Sequence, residues 1–260
     1  MSSVEKAVAQ GHYARKQLFC RDAIVAWSHQ SRFKTARRLV EPYAGGRLLD
    51  YGSGDGTFLA MVHDLFPRMV GADDPGQAGD CRKRFAGLTG LSFEALADVK
   101  DRAYDGAFDV VTCMEVLEHC VESAEEAVLS DLRRLAAPAA TVIVSVPVEI
   151  GPTLIGKQVV RAVAGWRGLG DYKYRETYRP GEFWRMVLAG RHTAITRPLY
   201  PSPHPGNGRP HHSHGHKGFN WRALRARISG RFQVRETRFS PLPWLGGYLS
   251  SQVWFICKPK

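Results

Sequence analysis

The sequence has no long hydrophobic run. No stretch of about 18 consecutive apolar residues occurs in its 260 residues, so we expect no transmembrane helix. The N-terminal residues, MSSVEKAVAQGHYARKQ, also lack the apolar core of a secretory signal. Hydrophobic residues make up 44% and charged residues 23% of the chain, which is typical of globular proteins. We therefore expect a cytoplasmic protein with an ordinary hydrophobic core.

Cysteine is scarce and its spacing carries no motif. The five cysteines form no C-x-x-C pair, and their number is odd. Free thiols in a reducing cytoplasm are the simplest interpretation.

Acidic residues are rare in the second half of the chain. Residues 151–260 hold 19 Lys and Arg against four Asp and Glu, whereas residues 1–150 hold 17 against 21. A solvated basic face would explain a modest excess. A difference of this size favours an anionic partner, which could be a phosphorylated or nucleotide-linked substrate, RNA, or an anionic membrane surface.

The most informative segment is LLDYGSGDGTFL, residues 48–59. An apolar run ends at Asp50, and Gly52, Gly54 and Gly56 follow at alternate positions. Glycine tolerates positive φ and lets the backbone approach a ligand closely. The spacing differs from the dinucleotide fingerprint, and the absence of G-K-[ST] excludes a P-loop. This pattern predicts a strand, a tight turn and a helix start that cradle a nucleoside-type ligand without a phosphate, which points to S-adenosylmethionine.

Strand and helix patterns alternate after this segment. The predicted strands cover residues 47–51, 69–73, 91–95, 108–114 and 141–147, and the predicted helices cover about 56–66, 77–85 and 122–136. Two later strands, 232–239 and 252–258, are joined by a hairpin-like connection. These elements predict an α/β fold with a doubly wound, mostly parallel seven-stranded sheet (a Rossmann-like methyltransferase fold) and an antiparallel last strand.

We expect one domain spanning residues 1–260, with two additions to the sheet. Residues 1–44 read as an N-terminal helical cap. Residues 148–218 read as a substrate-side insert or lid, with helices at about 155–164 and 180–189 before a Pro/Gly/His-rich stretch.

Asp73 lies at the end of the second predicted strand, 23 residues after Asp50. A carboxylate at this place in a βαβ unit can accept both hydrogens of a ribose diol. Either Asp73 or Asp74 could instead serve as a helix cap before Pro75.

With these motifs in order, residues 29–147 resemble the class I S-adenosylmethionine-dependent methyltransferases. The pairing of LLDYGSGDG with VGADD and FDVVTCMEVLEH is specific for that superfamily, and the last motif is most similar to the ubiquinone-biosynthesis O-methyltransferases. The resemblance implies S-adenosylmethionine as cofactor. It implies that Arg32, Gly52, Asp73 and Met114 bind the cofactor. We also expect Asp50 and Gly54, from the segment 48–59, to be cofactor-binding residues. Arg32 could pair with the methionine carboxylate, and Met114 could lie against the adenine.

The motif E-x-x-E-H follows the fourth predicted strand and contains Glu115, Glu118 and His119. A helical turn would bring these side chains to one face. The resemblance implies that such a motif binds a divalent metal that helps to ionise the acceptor hydroxyl. Mg²⁺, Mn²⁺ and Zn²⁺ all suit two carboxylates and an imidazole. The alternative is a metal-free turn that only shapes the pocket.

Five histidines, at positions 204, 211, 212, 214 and 216, fall within thirteen residues. They could supply a further ligand, a general base, or only a polar loop. His214 and His216 are the strongest candidates for the base, and His119 is a third catalytic candidate. The segment HSHGHKGFNW loosely resembles a stretch of the small-RNA 3′-end methyltransferases, although an expected acidic residue is missing.

These observations predict a methyltransferase that methylates an oxygen of a polar or anionic small molecule. A sugar, a glycolipid or nucleotide-linked intermediate, and a phenol all fit. The alternatives are 2′-O-methylation of an RNA end and a non-catalytic module that binds S-adenosylmethionine. Peripheral contact with an anionic membrane is compatible with the basic second half, and the oligomeric state stays open.

Overall fold

The computed structural model describes residues 3–14, 23–166, 177–201 and 212–260. Within these residues the α-helices are α1 (Ser3–Gln10), α2 (Ala23–Val40), α3 (Thr57–Met61), α4 (Pro75–Arg84), α5 (Glu122–Leu135), α6 (Thr153–Trp166), α7 (Pro180–Val187) and α8 (Trp221–Arg231). The strands are β1 (Arg47–Tyr51), β2 (Arg68–Asp73), β3 (Leu91–Ala95), β4 (Phe108–Met114), β5 (Ala136–Pro147), β6 (Leu199–Pro201), β7 (His212–His214), β8 (Phe232–Ser240) and β9 (Gln252–Pro259).

A seven-stranded sheet has the order β3-β2-β1-β4-β5-β9-β8. The pairs among β1 to β5 are parallel, and β9 runs antiparallel to both β5 and β8. The strand order reverses between β1 and β4, and ligands of such sheets bind beyond the carboxyl ends of the strands at that point. The predicted fold class, including its antiparallel last strand, is therefore confirmed.

Neighbouring residues of each central strand pack on opposite faces of the sheet, as a parallel sheet buried on both sides requires. Leu49 and Val111 pack with α5 and α8 on one face. Leu48 and Val110 pack with α2, α3 and α4 on the other. This second face matters for function because it brings α2 close to the end of β1.

Helix α3 is shorter than predicted. The sequence pattern predicted a helix to about residue 66, but α3 ends at Met61. Arg37 Nη1 donates a hydrogen bond of 2.6 Å to Met61 O, the carbonyl that a continuing helix would offer to Leu65. Leu65 N–H instead donates to Val62 O at 2.9 Å. The arginine of α2 thus takes the place of the next helical hydrogen bond.

The predicted insert contains α6, α7 and a small two-stranded sheet of β6 and β7. The connection between β8 and β9 includes a 3-10 helix, Pro243–Tyr248. None of the helices in the described residues combines the length and apolar character that crossing a bilayer requires. Cys81, Cys113, Cys120 and Cys257 are free thiols, as expected, and Cys20 lies outside the described residues.

Candidate active site

A cleft of about 320 Å³ opens at the carboxyl end of β1. It is bounded by the glycine turn after β1, by α2 and by the N-terminal segment. Five of the six residues predicted to bind the cofactor line it, and the sixth, Asp73, contacts the glycine turn. The lining residues are His12, Tyr13, Arg32, Phe33, Asp50, Gly52, Ser53, Gly54, Asp55, Thr57, Phe58, Gln77, Met114 and Glu115.

Gly52 is required by both the conformation and the packing of the turn. Its φ is +78°, a conformation that costs an L-residue about 1–2 kcal/mol. A Cβ added to Gly52 would lie 2.3 Å from Cγ2 of Val116, in the segment that follows β4. The Gly52 N–H donates to Ala72 O at 2.8 Å, so the turn is also tied to β2. The turn is therefore packed between the ends of β2 and β4.

Asp50 lies buried at the floor of the cleft, with 2% of its surface exposed. Thr112 Oγ1 donates a hydrogen bond of 2.7 Å to its carboxylate. Burial raises the pKa of Asp50 to about 7, helped by the charge of Asp73 and opposed by the Thr112 hydrogen bond. The Asp50 carboxyl group therefore changes its protonation state near neutral pH.

Asp73 braces the glycine turn from the end of β2. Its Oδ2 accepts a hydrogen bond of 2.6 Å from Gly54 N–H, and its Oδ1 accepts one of 2.7 Å from Asp74 N–H. Asp74 occupies the N-cap position of α4 but makes no side-chain cap hydrogen bond. Asp73 thus lies beside the glycine turn, and its contact with a ribose stays a prediction.

Arg32 reaches the cleft from α2 and is held by three side chains. Its Nη1 lies 2.5 Å from Glu115 Oε2, and its Nη2 donates to the Tyr13 hydroxyl and to His29 Nδ1. Burial and the charge of Arg32 lower the pKa of His29 to about 3, so its neutral ring can accept this hydrogen bond. Burial opposes the charge on Arg32, but Glu115 and Tyr13 outweigh it and raise the pKa of the guanidinium. The guanidinium of Arg32 is therefore charged and held in place at the cleft, paired with Glu115.

Asp55 ties the N-terminal segment to the glycine turn. Its Oδ2 accepts hydrogen bonds from Tyr13 N–H at 2.9 Å and Ala14 N–H at 3.3 Å. Its Oδ1 accepts from Thr57 Oγ1 at 2.7 Å. A Cβ on Gly11 would lie 2.3 Å from Asp55 Oδ2, so the segment approaches the carboxylate closely. Asp55 thereby holds Tyr13 against the cleft.

A second group of side chains lies beyond the end of β4. Glu118, His119 and His216 each place a possible ligand atom within 4.8 Å of the others. Two of them belong to the predicted metal set, and His216 was predicted as a base. Glu115, the remaining member of the predicted set, instead pairs with Arg32 and accepts a hydrogen bond from Gln252 Nε2.

The predicted helical turn through E-x-x-E-H does not form. Glu115 has φ +58°, the only positive φ of a non-glycine residue in the described part of the chain. Residues 117–119 form a turn in which His119 N–H donates to Val116 O at 3.0 Å. The left-handed conformation of Glu115 directs its side chain to Arg32, away from a common face with Glu118 and His119.

The insert determines which nitrogen of His119 is free. His119 Nδ1–H donates to His214 O at 2.9 Å, and His214 N–H donates to His119 O at 3.0 Å. A donor at Nδ1 leaves the lone pair at Nε2, and a second hydrogen bond of this kind commonly orients a metal-binding histidine. His119 Nε2 lies 3.9 Å from Glu118 Oε1.

The Glu118 carboxyl is fully buried, and neither of its oxygens has a hydrogen-bond partner among the described residues. Burial, followed by the charge of Glu115, raises the pKa of Glu118 well above its usual range, against the opposing charges of Arg32 and Arg197. Buried carboxyl oxygens without partners are costly. A cation or a substrate hydroxyl would satisfy them, so this chemistry fits a divalent metal site.

His216 enters this cluster from the insert. Burial lowers its pKa, so its imidazole is neutral at neutral pH and has a free lone pair. Its Nδ1 lies 3.9 Å from Glu149 Oε1, which accepts a hydrogen bond of 2.6 Å from Lys157 Nζ. A neutral imidazole is the form that either a metal ligand or a general base requires.

The other predicted histidines are placed differently. His214 lies in β7, its Nδ1–H donates to Pro198 O at 2.9 Å, and its side chain is outside the three-residue cluster. Its backbone, however, orients His119. His204 and His211 lie outside the described residues. Of the two strongest candidates for a base, His216 alone is brought to the cluster.

Two residues that organise the cleft, Asp55 and Tyr13, were not predicted from the sequence as site residues. Asp55 stands inside the glycine motif, so its position could have indicated a role. Tyr13 has no sequence signal, because its hydroxyl meets Arg32 and His29 only through the packing of the N-terminal segment on α2.

Comparisons with known proteins show the family and the fold. Residues 27–193 match a protein-family model described as a methyltransferase domain. A ubiquinone biosynthesis O-methyltransferase of Methylococcus capsulatus is 37% identical to this chain over 164 residues, which cover 59% of this chain and 62% of that protein. The chain spans about 60% of the length of the curated relatives it matches.

Solved structures match nearly the whole chain at low identity. A protein of Pyrococcus horikoshii has a TM-score of 0.60 and 15% identity, covering 95% of this chain and 98% of that one. The magnesium protoporphyrin IX methyltransferase of Synechocystis, solved with bound SAH, has a TM-score of 0.54 and 15% identity, covering 99% and 93%. At such identities the likeness shows the fold.

Proposed function

The chain belongs to the methyltransferase-domain family of S-adenosylmethionine-dependent enzymes, and we propose that it methylates a hydroxyl oxygen of a polar, anionic small molecule. The observation that carries this proposal is the cluster of Glu118, His119 and His216 beyond β4. These groups suit the removal of a proton from a hydroxyl, because they combine a buried carboxyl with two imidazole nitrogens.

The cleft at the end of β1 is the proposed cofactor site. S-adenosylmethionine, when bound, supplies an electrophilic methyl group on its sulfonium sulfur. Arg32 would attract the methionine carboxylate, and the Gly52 turn would let the backbone approach the nucleoside. Asp73 would accept from the ribose hydroxyls, and Met114 would lie against the adenine. Asp50 and Gly54 complete this proposed set.

Methyl transfer requires alignment and loss of one proton. The acceptor oxygen forms a bond to the methyl carbon while the carbon–sulfur bond breaks, and sulfur keeps the electron pair. The hydroxyl proton passes to a base of the chain. His216 is the proposed base in a metal-free site, since its pKa is lowered and its ring is neutral. Holding the three reacting atoms in line provides most of the remaining acceleration.

Glu118, His119 and His216 would hold a divalent cation if the site binds Mg²⁺, Mn²⁺ or Zn²⁺. Such a cation supplies Lewis acidity that lowers the pKa of an acceptor hydroxyl. Glu118 supports this proposal because both its buried oxygens lack partners among the described residues. His119 supports it because the hydrogen bond to His214 O leaves its Nε2 free. In that case His216 would act as a ligand and not as the base.

The test combines cofactor binding with methyl transfer. We expect S-adenosylhomocysteine to bind in calorimetry, and labelled S-adenosylmethionine to transfer its methyl group to an anionic fraction of cell extract. Mass spectrometry of the product should locate the methyl group on oxygen. The absence of binding at millimolar ligand would end the proposal. Binding without transfer to any fraction would favour a non-catalytic module.

The role of the cluster is tested by Glu118→Gln, with Glu122→Gln as a control on the exposed first turn of α5. We expect transfer to fall at least ~100-fold in Glu118→Gln, within the range of general acid–base effects, and to be unchanged in the control. Activity that survives EDTA would exclude the metal and leave His216 as the base. Normal turnover of Glu118→Gln would remove the cluster from the proposed reaction.

A further inference from the structure

A second cleft, of about 330 Å³, lies between α2 and the end of β8. Among the described residues, it shares no lining residue with the cofactor cleft. The described part of its lining contains three cationic side chains and no carboxylate. The cations are Lys34, Arg38 and Arg238, and Trp27 and Ser31 lie beside them on α2.

Helix α2 separates the two clefts. Trp27, Ser31, Lys34 and Arg38 are spaced four, three and four residues apart, which places them on one face of the helix. Arg32 lies on a different face and lines the cofactor cleft. The stripe from Trp27 to Arg38 is ~16 Å long at the rise of an α-helix. It is therefore long enough to contact both a planar ring and an anionic group of one ligand.

The charges of this cleft are incompletely neutralised by the protein. Arg37, a neighbour on α2, makes two hydrogen bonds of 2.6 Å to Asp64. By contrast, no carboxylate of the described residues lies within 4 Å of Lys34 or Arg38, and both side chains are exposed. Arg238 has a counter-charge, since its Nε lies 2.5 Å from Glu236 Oε1. Lys34 and Arg38 thus remain available for an external anion.

The cleft also offers an aromatic ring and hydroxyl groups. Trp27 is 51% exposed at one end of the stripe. Ser31 lines the cleft between Trp27 and Lys34. Thr35 and Ser240 also line it; the Thr35 hydroxyl donates to Ser31 O at 2.8 Å, and the Ser240 hydroxyl accepts from Trp254 Nε1 at 3.0 Å. Cations with hydroxyl groups suit a phosphate, and an exposed indole suits a planar base. This combination favours a nucleotide over a plain carboxylate.

The cleft faces the catalytic end of the sheet. Ser240 pairs in register with Gln252, which pairs with Pro147. Gln252 Nε2 donates to Glu115, at the end of β4. Three strand spacings separate β4 from β8, which corresponds to ~14 Å across the sheet. A ligand bound in this cleft could therefore extend toward the cofactor cleft.

We propose that this cleft binds the phosphate group of a nucleotide, with Lys34 and Arg38 contacting the phosphate and Trp27 stacking on the base. The nucleotide is part of the methyl acceptor, as in a nucleotide-linked intermediate; that identification rests on the proposed function, whereas the anion site does not.

Calorimetry on the full chain tests the site with uridine diphosphate, inorganic phosphate and uridine as probes. We expect uridine diphosphate to bind at least tenfold more tightly than uridine. Lys34→Gln/Arg38→Gln should weaken binding of uridine diphosphate and phosphate at least tenfold. The control Arg68→Gln/Arg102→Gln removes the same charge from exposed positions near the opposite edge of the sheet and should change binding less than twofold.

Trp27→Ala separates stacking from charge. The variant should bind uridine diphosphate at least fivefold more weakly than the wild type does. Its affinity for inorganic phosphate should stay within twofold of the wild-type value. Equal binding of uridine diphosphate to the wild type and Lys34→Gln/Arg38→Gln would overturn the proposal, as would competition with S-adenosylhomocysteine. A short single-stranded RNA that binds more than tenfold tighter than the nucleotide, with a steep salt dependence, would identify an RNA site instead.

The two proposals fail separately. If the chain binds S-adenosylhomocysteine and transfers methyl groups but no nucleotide binds, the anion site is wrong and the proposed function stands. If uridine diphosphate binds through Lys34 and Arg38 but S-adenosylhomocysteine does not, the proposed function is wrong and the anion site stands. If S-adenosylhomocysteine and uridine diphosphate both bind, methylated products in the extract should carry a nucleotide. Methylated products without a nucleotide would overturn the proposal that the nucleotide is part of the methyl acceptor.

Discussion

The guanidinium of Arg32 lies 2.5 Å from the carboxylate of Glu115. This ion pair connects α2 to the segment after β4 and lies at the wall of the cofactor cleft. Glu115 thereby stays outside the cluster of Glu118, His119 and His216, and the Glu118 carboxyl remains buried without a hydrogen-bond partner in the described residues. This pair thus fixes the guanidinium at the cleft and leaves Glu118, His119 and His216 as the cluster beyond β4.

Breaking this ion pair should destabilise the protein. In Arg32→Met, Glu115 loses its cationic partner, and we expect the free energy of unfolding to fall by about 3 kcal/mol, as for other largely buried pairs. In Arg32→Met/Glu115→Gln no unpaired charge is left, so at least ~1 kcal/mol should be recovered. Urea unfolding without cofactor measures both. Equal losses in the single and double variants would contradict this role of Glu115.

Asp55→Ala should release the N-terminal segment from the cleft. The variant removes the acceptor of the Tyr13 and Ala14 N–H groups. We expect faster hydrogen exchange at residues 11–14 and an affinity for S-adenosylhomocysteine lower by about tenfold, about 1.4 kcal/mol. Thr57→Val keeps the carboxylate and serves as control. If exchange at residues 11–14 is unchanged in Asp55→Ala, Asp55 does not anchor this segment.

Gly52→Ala should damage the cofactor cleft through strain and a clash. The added Cβ meets Val116 Cγ2 at 2.3 Å, and φ of +78° is unfavourable for alanine. We expect a loss of stability of about 3 kcal/mol and no detectable binding of S-adenosylhomocysteine. Adding Val116→Ala relieves the clash but not the φ strain. The double variant should therefore recover part of the lost stability. If its loss equals the sum of the losses in Gly52→Ala and Val116→Ala, the two side chains do not contact each other.

Asp50 should make stability depend on pH. Burial raises its pKa from 3.8 to about 7, so the folded protein keeps a proton that the unfolded chain releases above pH ~4. The stability that protonated Asp50 contributes is fully present below pH ~4 and is lost as the pH rises through 7. Because the amide side chain of Asp50→Asn does not ionise, the stability of this variant does not fall with pH for this reason. Relative to the wild type without cofactor, Asp50→Asn should gain up to about 4 kcal/mol between pH 4 and pH 7.5 in urea unfolding. A constant difference over this range would show that Asp50 is ionised in the folded protein.

The cleft at the end of β1 was largely predictable because several of its residues lie at or follow strand ends. Asp50, Gly52 and Gly54 stand in one motif, and the carboxyl ends of parallel strands meet at one edge of the sheet. Met114 ends β4 and therefore lies beside them. Helix α3 was predicted too long, because the hydrogen bond from Arg37 to Met61 O joins residues 24 positions apart.

The sequence by itself determined the family, the α/β sheet and the place of the cleft at the end of β1, because hydrophobic periodicity and glycine spacing act over short distances along the chain. Only the tertiary structure decided that His216, and not Glu115, joins Glu118 and His119. That choice depends on the positive φ of Glu115 and on the packing of the insert against the turn after β4. Both arise from contacts between segments far apart in sequence, which no local pattern encodes.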